Sequence, residues 1–263
     1  MSYIISTICV GQKYEPIREH WLNRINNKCK DCEIIIFNNV NILNGLLFER
    51  TYTGYIWAIR FIHNLDLLFK INKPIVMCDL DVIIEKDIRP LVELPFDIII
   101  STEIGGSNSY PKECSKKLGF GVCCGFMIVK PSARKIMLNI FKNMVNKKYK
   151  TYDDQVNIMN YIVNGNYNVK EQKCILDGVE FKNKIIEIDD IQICVLDFDI
   201  ITRDPILTKE QFGNHINIDN VGGVNNFIRY FYEPLENLPL TCRCGKTHLG
   251  DNNICKHLEL RNK

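Results

Sequence analysis

Short apolar runs alternating with segments of helical period fill the N-terminal half of this sequence, and few folds accommodate that rhythm. Tyr3 to Val10 reads as a strand, and Glu15 to Asn26 follows with Ile17, Trp21, Leu22 and Ile25 on one helical face. Glu33 to Phe37 is a second strand. Tyr55 to Phe69 spaces Ile56, Ile59, Ile62 and Leu65 for an amphipathic helix, which Lys73 and Pro74 end before the apolar run Ile75 to Cys78. Asp97 to Ser101 and Gly125 to Val129 read as further strands, Pro131 to Met144 and Tyr152 to Val163 as helices, and Lys184 to Ile188 and Ile191 to Leu196 as late strands. Strands separated by helices predict an α/β domain with a mostly parallel central sheet flanked by helices.

At 263 residues, 46% hydrophobic and 24% charged, the chain can bury a self-sufficient core, and disorder or a collagen-like architecture is excluded. No apolar run reaches membrane-spanning length. A formal net charge of +2 gives no global attraction for nucleic acid or anionic lipid, so any anion recognition must be local. Of 12 cysteines, Cys9, Cys78, Cys123, Cys124 and Cys194 lie inside apolar runs, where a reduced thiol behaves as a small hydrophobe. With no basic leader at the N-terminus, a reducing, cytoplasmic setting is expected. Composition shifts at Thr241, dividing the chain into a domain over 1–240 and a Cys/His-rich tail over 241–263.

The most informative stretch is Asp79-Leu80-Asp81. Four apolar residues deliver two carboxylates one residue apart, and the apolar sequence then resumes at Val82. Residues two apart on an extended chain point the same way, so both acids can converge on one cation, and an all-oxygen pair suits Mg²⁺ or Mn²⁺. In open α/β sheets, ligands bind beyond the carboxyl ends of strands, where this pair stands. Taken alone the pattern also fits one acid capping a turn while the other is solvated.

With Lys86, Asp87 and Ile88, then Leu91 and the run Ile98 to Ile100, this stretch resembles the D-x-D region of GT-A glycosyltransferases, in particular the nucleotide-diphospho-sugar transferase families related to glycogenin and bacterial galactosyltransferases. The resemblance extends to about Tyr232 and implies a single GT-A, Rossmann-like domain. It also implies transfer of a sugar from a nucleotide-sugar donor, UDP-linked above all, to a glycan or protein acceptor, with retention of configuration. By the same resemblance Thr7, Gly11 and Tyr14 hold the nucleotide and Arg60 approaches Asp79 and the diphosphate. Gly119 to Val129 corresponds to the family's N-A-G segment lining the sugar pocket, with Cys123 and Cys124 where Asn and Ala are usual, followed by Gly125. Asp153 falls in that pocket, and Asp154 and Gln155 correspond to the family's D-Q pair. Plain helix capping by one of the two acids is the competing reading. The late histidine of the metal shell is His215, completing Asp79 and Asp81, while Arg229 or Lys209 would have to replace a missing lysine after Gly222 and Gly223.

Two other readings fit parts of the sequence. The D-L-D-V pattern also resembles haloacid-dehalogenase-type phosphatases, with Asp79 as nucleophile and Ser101, Thr102, Lys130 and Asp153 with Asp154 in the supporting places. Alternatively, Cys242, Cys244, His248, Cys255 and His257 could hold a structural Zn²⁺ in a protein that only binds partners. Sugar-nucleotidyltransferases are disfavoured because Val10 to Tyr14 lacks their Gly-rich, arginine-containing loop. Cys29 and Cys32 form an isolated C-x-x-C that reads as structural.

Overall fold

A computed structural model of the chain describes residues 2–38, 52–103, 105–202, 211–216, 224–229, 232, 240, 241, 247 and 248. Strand β1 (Tyr3–Ile8) leads to helix α1 (Glu15–Lys28), which has Pro16 in its first turn and buries Ile17, Trp21 and Ile25 at helical spacing. Strand β2 (Cys32–Phe37) and helix α2 (Tyr52–Lys70) precede β3 (Ile75–Cys78), whose four residues are all buried. After a turn come β4 (Val82–Ile84), α3 (Arg89–Glu93), β5 (Ile98–Glu103) and α4 (Lys112–Leu118). The second half holds β6 (Gly121–Val129), α5 (Arg134–Val145), α6 (Asp154–Asn164), β7 (Tyr167–Leu176), β8 (Val179–Ile188) and β9 (Ile191–Val195), then β10 (Ile201–Thr202), β11 (Gly213–His215) and α7 (Val224–Arg229).

The main sheet has eight strands in the order β2-β1-β3-β6-β5-β9-β8-β7. Strands β1, β2, β3, β5, β7 and β9 run one way, and β6 and β8 run the other. The α/β reading therefore holds, with an antiparallel strand set into the centre of the sheet. Apolar layers cover both faces: α1 packs on one through Trp21 and Ile25, and α2, α5 and α6 on the other through Phe61, Ile136 and Met159. The cysteines expected in the core are there, Cys9, Cys78, Cys123, Cys124 and Cys194 all being buried. Among the described residues no helix is long and apolar enough to cross a membrane.

Two features of this sheet position the site. The parallel strands β1 and β3 end at the same edge, with Ser6 level with Met77. A smaller sheet, β10-β11-β4, stands beyond that edge, and in it β11 pairs antiparallel with β4, setting His215 opposite Val82.

Several elements depart from the sequence reading. The strand expected from Gly125 begins at Gly121 instead: β6 is buried throughout, and Gly121 lies so close to Ser109 that a Cβ there would come within 1.7 Å of the serine Oγ. Strand β7 is an edge strand with most residues exposed, so it carries no apolar alternation; cross-strand pairs such as Lys173 with Glu180 and Lys170 with Glu187 occupy it instead. The short helix α4 and strand β11 are held by their neighbours rather than by local propensity. The helix expected from Pro131 begins with a single tight turn, Pro131–Ala133, before α5 proper.

Candidate active site

The acidic pair lies in the β3–β4 turn. The Val82 amide donates to the Asp79 carbonyl at 3.1 Å, and the Asp79 amide donates to the Gly125 carbonyl of β6 at 2.8 Å. Asp79 and Asp81 therefore converge because the chain turns around the buried Leu80, not because an extended strand alternates. The Ile216 amide closes the arrangement by donating to the Asp81 carbonyl at 2.9 Å, which anchors the end of β11 to the turn. One ligand atom from each of Asp79, Asp81 and His215 lies within 4.8 Å of the others. Two carboxylates and an imidazole so placed fit a hard or borderline divalent cation such as Mg²⁺ or Mn²⁺.

His215 is 5% exposed, and its surroundings fix the ring on three sides. Its Nε2 lies 3.2 Å from Asp81 Oδ1 and its Nδ1 3.3 Å from Cys123 Sγ. The ring lies across the α-carbon of Gly125: a Cβ there would come within 2.1 Å of Cε1 and 2.5 Å of Nδ1. Gly125, which the resemblance places at the sugar pocket, is thus the seat of a protein side chain. Burial alone would lower the imidazole pKa, but Asp81 and the Cys123 thiol hold it up to about 10.

Arg60 projects from α2 and is 3% exposed. It donates through one guanidinium nitrogen to Asp79 Oδ1 and through the other to Asp154 Oδ2. Burial works against its charge, yet Asp154 and Asp79 together hold it firmly protonated. The same buried arginine thus ties the end of β3 to the start of α6. Cys124, facing away from Cys123, lies on this side of β6, and burial and Asp154 push its thiol well up.

At α6 the two acids divide the expected roles. Asp153 is the N-cap, its Oδ1 accepting from the Val156 amide at 3.0 Å, whereas the Asp154 carboxylate is committed to Arg60. Gln155 donates from Nε2 to the Tyr110 carbonyl at 2.7 Å. Burial and the neighbouring Asp154 raise Asp153 to about 6. A carboxyl whose folded pKa exceeds its unfolded one stabilises the fold most when protonated, so this contribution is lost as pH rises from about 4 to about 6. Asn caps a helix as well as Asp does but does not titrate. The stability difference between Asp153→Asn and wild type is therefore expected to move in the variant's favour by on the order of 2 to 3 kcal/mol between pH 4 and pH 7. Urea melts at both pH values check this; a difference that stays constant contradicts it.

Thr7 is fully buried in β1, and Gly11 adopts a φ of 97° just before the short turn that carries Tyr14 into α1. Both stand at the edge of the sheet where β3 ends. Arg229 is exposed at the end of α7, whereas Lys209, Gly222 and Gly223 lie outside the described residues. So do Cys242, Cys244, Cys255 and His257 of the expected zinc set; of that set only His248 falls within them. Cys29 and Cys32 are both raised chiefly by burial, Cys29 to about 12, which opposes the thiolate that redox chemistry or metal binding would need. The phosphatase arrangement does not assemble: Lys130 follows Val129, which pairs with Ile75 at the start of β3, whereas Asp79 follows Cys78 at the other end. Lys130 donates to the Leu94 carbonyl and Ser101 to the Cys123 carbonyl.

Residues 58–201, more than half of the chain, match nucleotide-diphospho-sugar transferases. The chain belongs to that family. No curated protein matches this transferase in sequence. Among solved structures it is similar to the apo form of mouse xyloside xylosyltransferase 1, at 13% identity and a TM-score of 0.51 over 83% of this chain and 99% of that one. A glycosyltransferase involved in the glycosylation of the major capsid of PBCV-1 gives 12% identity and a TM-score of 0.56 over 89% and 100%. The glycosyltransferase GlyE of Streptococcus pneumoniae TIGR4 gives 12% and 0.54 over 89% of this chain and 62% of that one. At these identities the similarity establishes a shared GT-A fold for the transferase.

Proposed function

We propose that this transferase moves a sugar from a nucleoside-diphosphate donor, UDP-linked in the first instance, to a hydroxyl of a glycan or protein acceptor, with retention of configuration and with Mn²⁺ or Mg²⁺ held by Asp79, Asp81 and His215. The observation that carries this reading is the convergence of these three side chains at the carboxyl edge of β3, where doubly wound sheets bind their ligands. A divalent cation bound there would neutralise charge on the departing nucleoside diphosphate and remove the need for a protein acid to protonate it.

The remaining work falls to the chain itself. Thr7, Gly11 and Tyr14, at the end of β1, hold the nucleotide. Arg60 works against burial to favour the ionised form of Asp79 while fixing Asp154, whose carboxylate orients sugar hydroxyls with Asp153 and the backbone near Cys123, Cys124 and Gly125. Gln155, whose Nε2 donates to the Tyr110 carbonyl, is assigned to the reacting carbon in this reading. Orientation of donor and acceptor beside one another adds to the rate alongside that charge stabilisation.

Incubating the protein with Mn²⁺ and each common nucleotide sugar tests the reading through release of nucleoside diphosphate. At least one donor is expected to turn over, with activity lost on chelation and restored by Mn²⁺. No turnover with any donor, together with no metal-dependent nucleotide binding, overturns it.

A further inference from the structure

We infer that Cys123 is a positioning residue for the cation-binding imidazole, its sulfur fixing which nitrogen of His215 carries the proton and how the ring is turned. The inference rests on the proposed cation site, and it concerns a side chain at which this sequence departs from the asparagine of the related families.

The contact is built by the strand rather than by chance proximity. The register between β5 and β6 jumps from Ile100 opposite Met127 to Ser101 opposite Cys123, so Cys124, Gly125 and Phe126 face no β5 residue. Such a bulge re-aims side chains next to functional sites. Here it sends Cys123 and Gly125, two residues apart, toward His215, while Cys124 joins the opposite apolar layer. The Ser101 hydroxyl donates to the Cys123 carbonyl at 2.9 Å and holds this backbone in place. Cys123 is 2% exposed, so solvent cannot substitute for its sulfur at Nδ1.

The chemistry follows from the two nitrogens of the ring. To bind a cation through Nε2 the ring must give up the proton that Asp81 otherwise holds there, and the neutral imidazole then carries its one proton on Nδ1. That N–H then points at the Cys123 sulfur, 3.3 Å away, which accepts it. Gly125, having no Cβ, leaves the space in which the ring can lie this way. Ligating histidines depend on such a partner for tautomer and orientation, and its loss typically costs about 10- to 100-fold in metal affinity.

The test measures Mn²⁺ binding by electron paramagnetic resonance of the free ion, and the His215 tautomer by long-range ¹H–¹⁵N correlation in the Mg²⁺-loaded protein. Cys123→Ala is expected to weaken Mn²⁺ binding by roughly 10-fold or more and to lose the single Nδ1-protonated signature. Cys123→Ser, which keeps an acceptor, is expected to stay within about threefold of wild type. Cys114→Ala, a truncation of a buried thiol in α4, serves as the packing control and leaves affinity unchanged. Should the alanine variant melt below the assay temperature, Cys123→Val fills the same space without an acceptor and carries the comparison. Wild-type affinity and an unchanged tautomer in both Cys123→Ala and Cys123→Val overturn the inference while leaving the cation site intact. Failure of the wild-type protein to bind Mn²⁺ overturns the site reading and the inference together.

Discussion

Asp81→Asn is expected to lower sugar transfer by about three orders of magnitude and to abolish the dependence of nucleotide binding on Mn²⁺, with little change in thermal stability. A cation that stabilises a leaving diphosphate contributes several kcal/mol, and roughly 4 kcal/mol corresponds to a factor of about a thousand. The substitution is nearly isosteric and the side chain is 21% exposed in a turn, but it removes the counter-charge of the buried His215 imidazole. Removing that charge also relieves repulsion from Asp79, whose pKa burial pushes up, against the pull of Arg60 and with the push of Asp81. These two effects oppose each other, so stability and activity should part: a melting temperature within a few degrees of wild type, beside a protein that no longer distinguishes Mn²⁺ from chelator. Steady-state rates and nucleotide titrations with and without Mn²⁺ supply the measurement. An Asp81→Asn protein that keeps Mn²⁺-dependent turnover within tenfold of wild type would remove the basis for a cation between Asp79, Asp81 and His215.

The part of this site that sequence reveals is the part where a polar residue breaks an apolar rule. Two acids interrupting the run Ile75 to Ile84 and an arginine between Ile59 and Phe61 mark themselves, since each is costly in a core unless it has a partner. The same physics places His215 only by resemblance, because its approach to Asp81 depends on pairing between β4 and β11, which are far apart in the chain. Gly125 and Cys123 carry a still fainter signal. A glycine announces that something lies close, but not whether it is a ligand or a ring of the protein itself. A cysteine in an apolar run looks the same whether it faces a core or a histidine. The strand pattern is legible in β3 and in the Gly125 to Val129 part of β6, both buried, and silent in β7, whose edge position calls for charge rather than apolar alternation.

Arg60→Met should destabilise the fold by about 3 to 5 kcal/mol, enough to lower the melting temperature by roughly 10 °C. The reason lies in what is left behind. The Asp154 side chain is 4% exposed, and without the guanidinium it becomes a buried carboxylate with its charge uncompensated, while Asp79 loses its counter-charge next to Asp81. Lysine is a poor replacement, since a single ammonium lacks the planar fork that reaches Asp79 with one nitrogen and Asp154 with the other; Arg60→Lys should recover less than half of the loss. Removing the stranded charge is the sharper control. In Arg60→Met with Asp154→Asn the buried carboxylate is gone, and most of the stability should return, giving a strong favourable coupling in a double-mutant cycle. Activity should not return with it, because the arginine also holds the end of β3 and the start of α6 in one arrangement, and a sugar oriented by Asp154 needs that arrangement kept relative to Asp79. Urea melts and transfer rates on the four proteins separate the two roles. If Arg60→Met melts within 3 °C of wild type, the guanidinium is not the counter-charge that Asp79 and Asp154 need at this edge of the sheet, and the electrostatic account of the site fails with it.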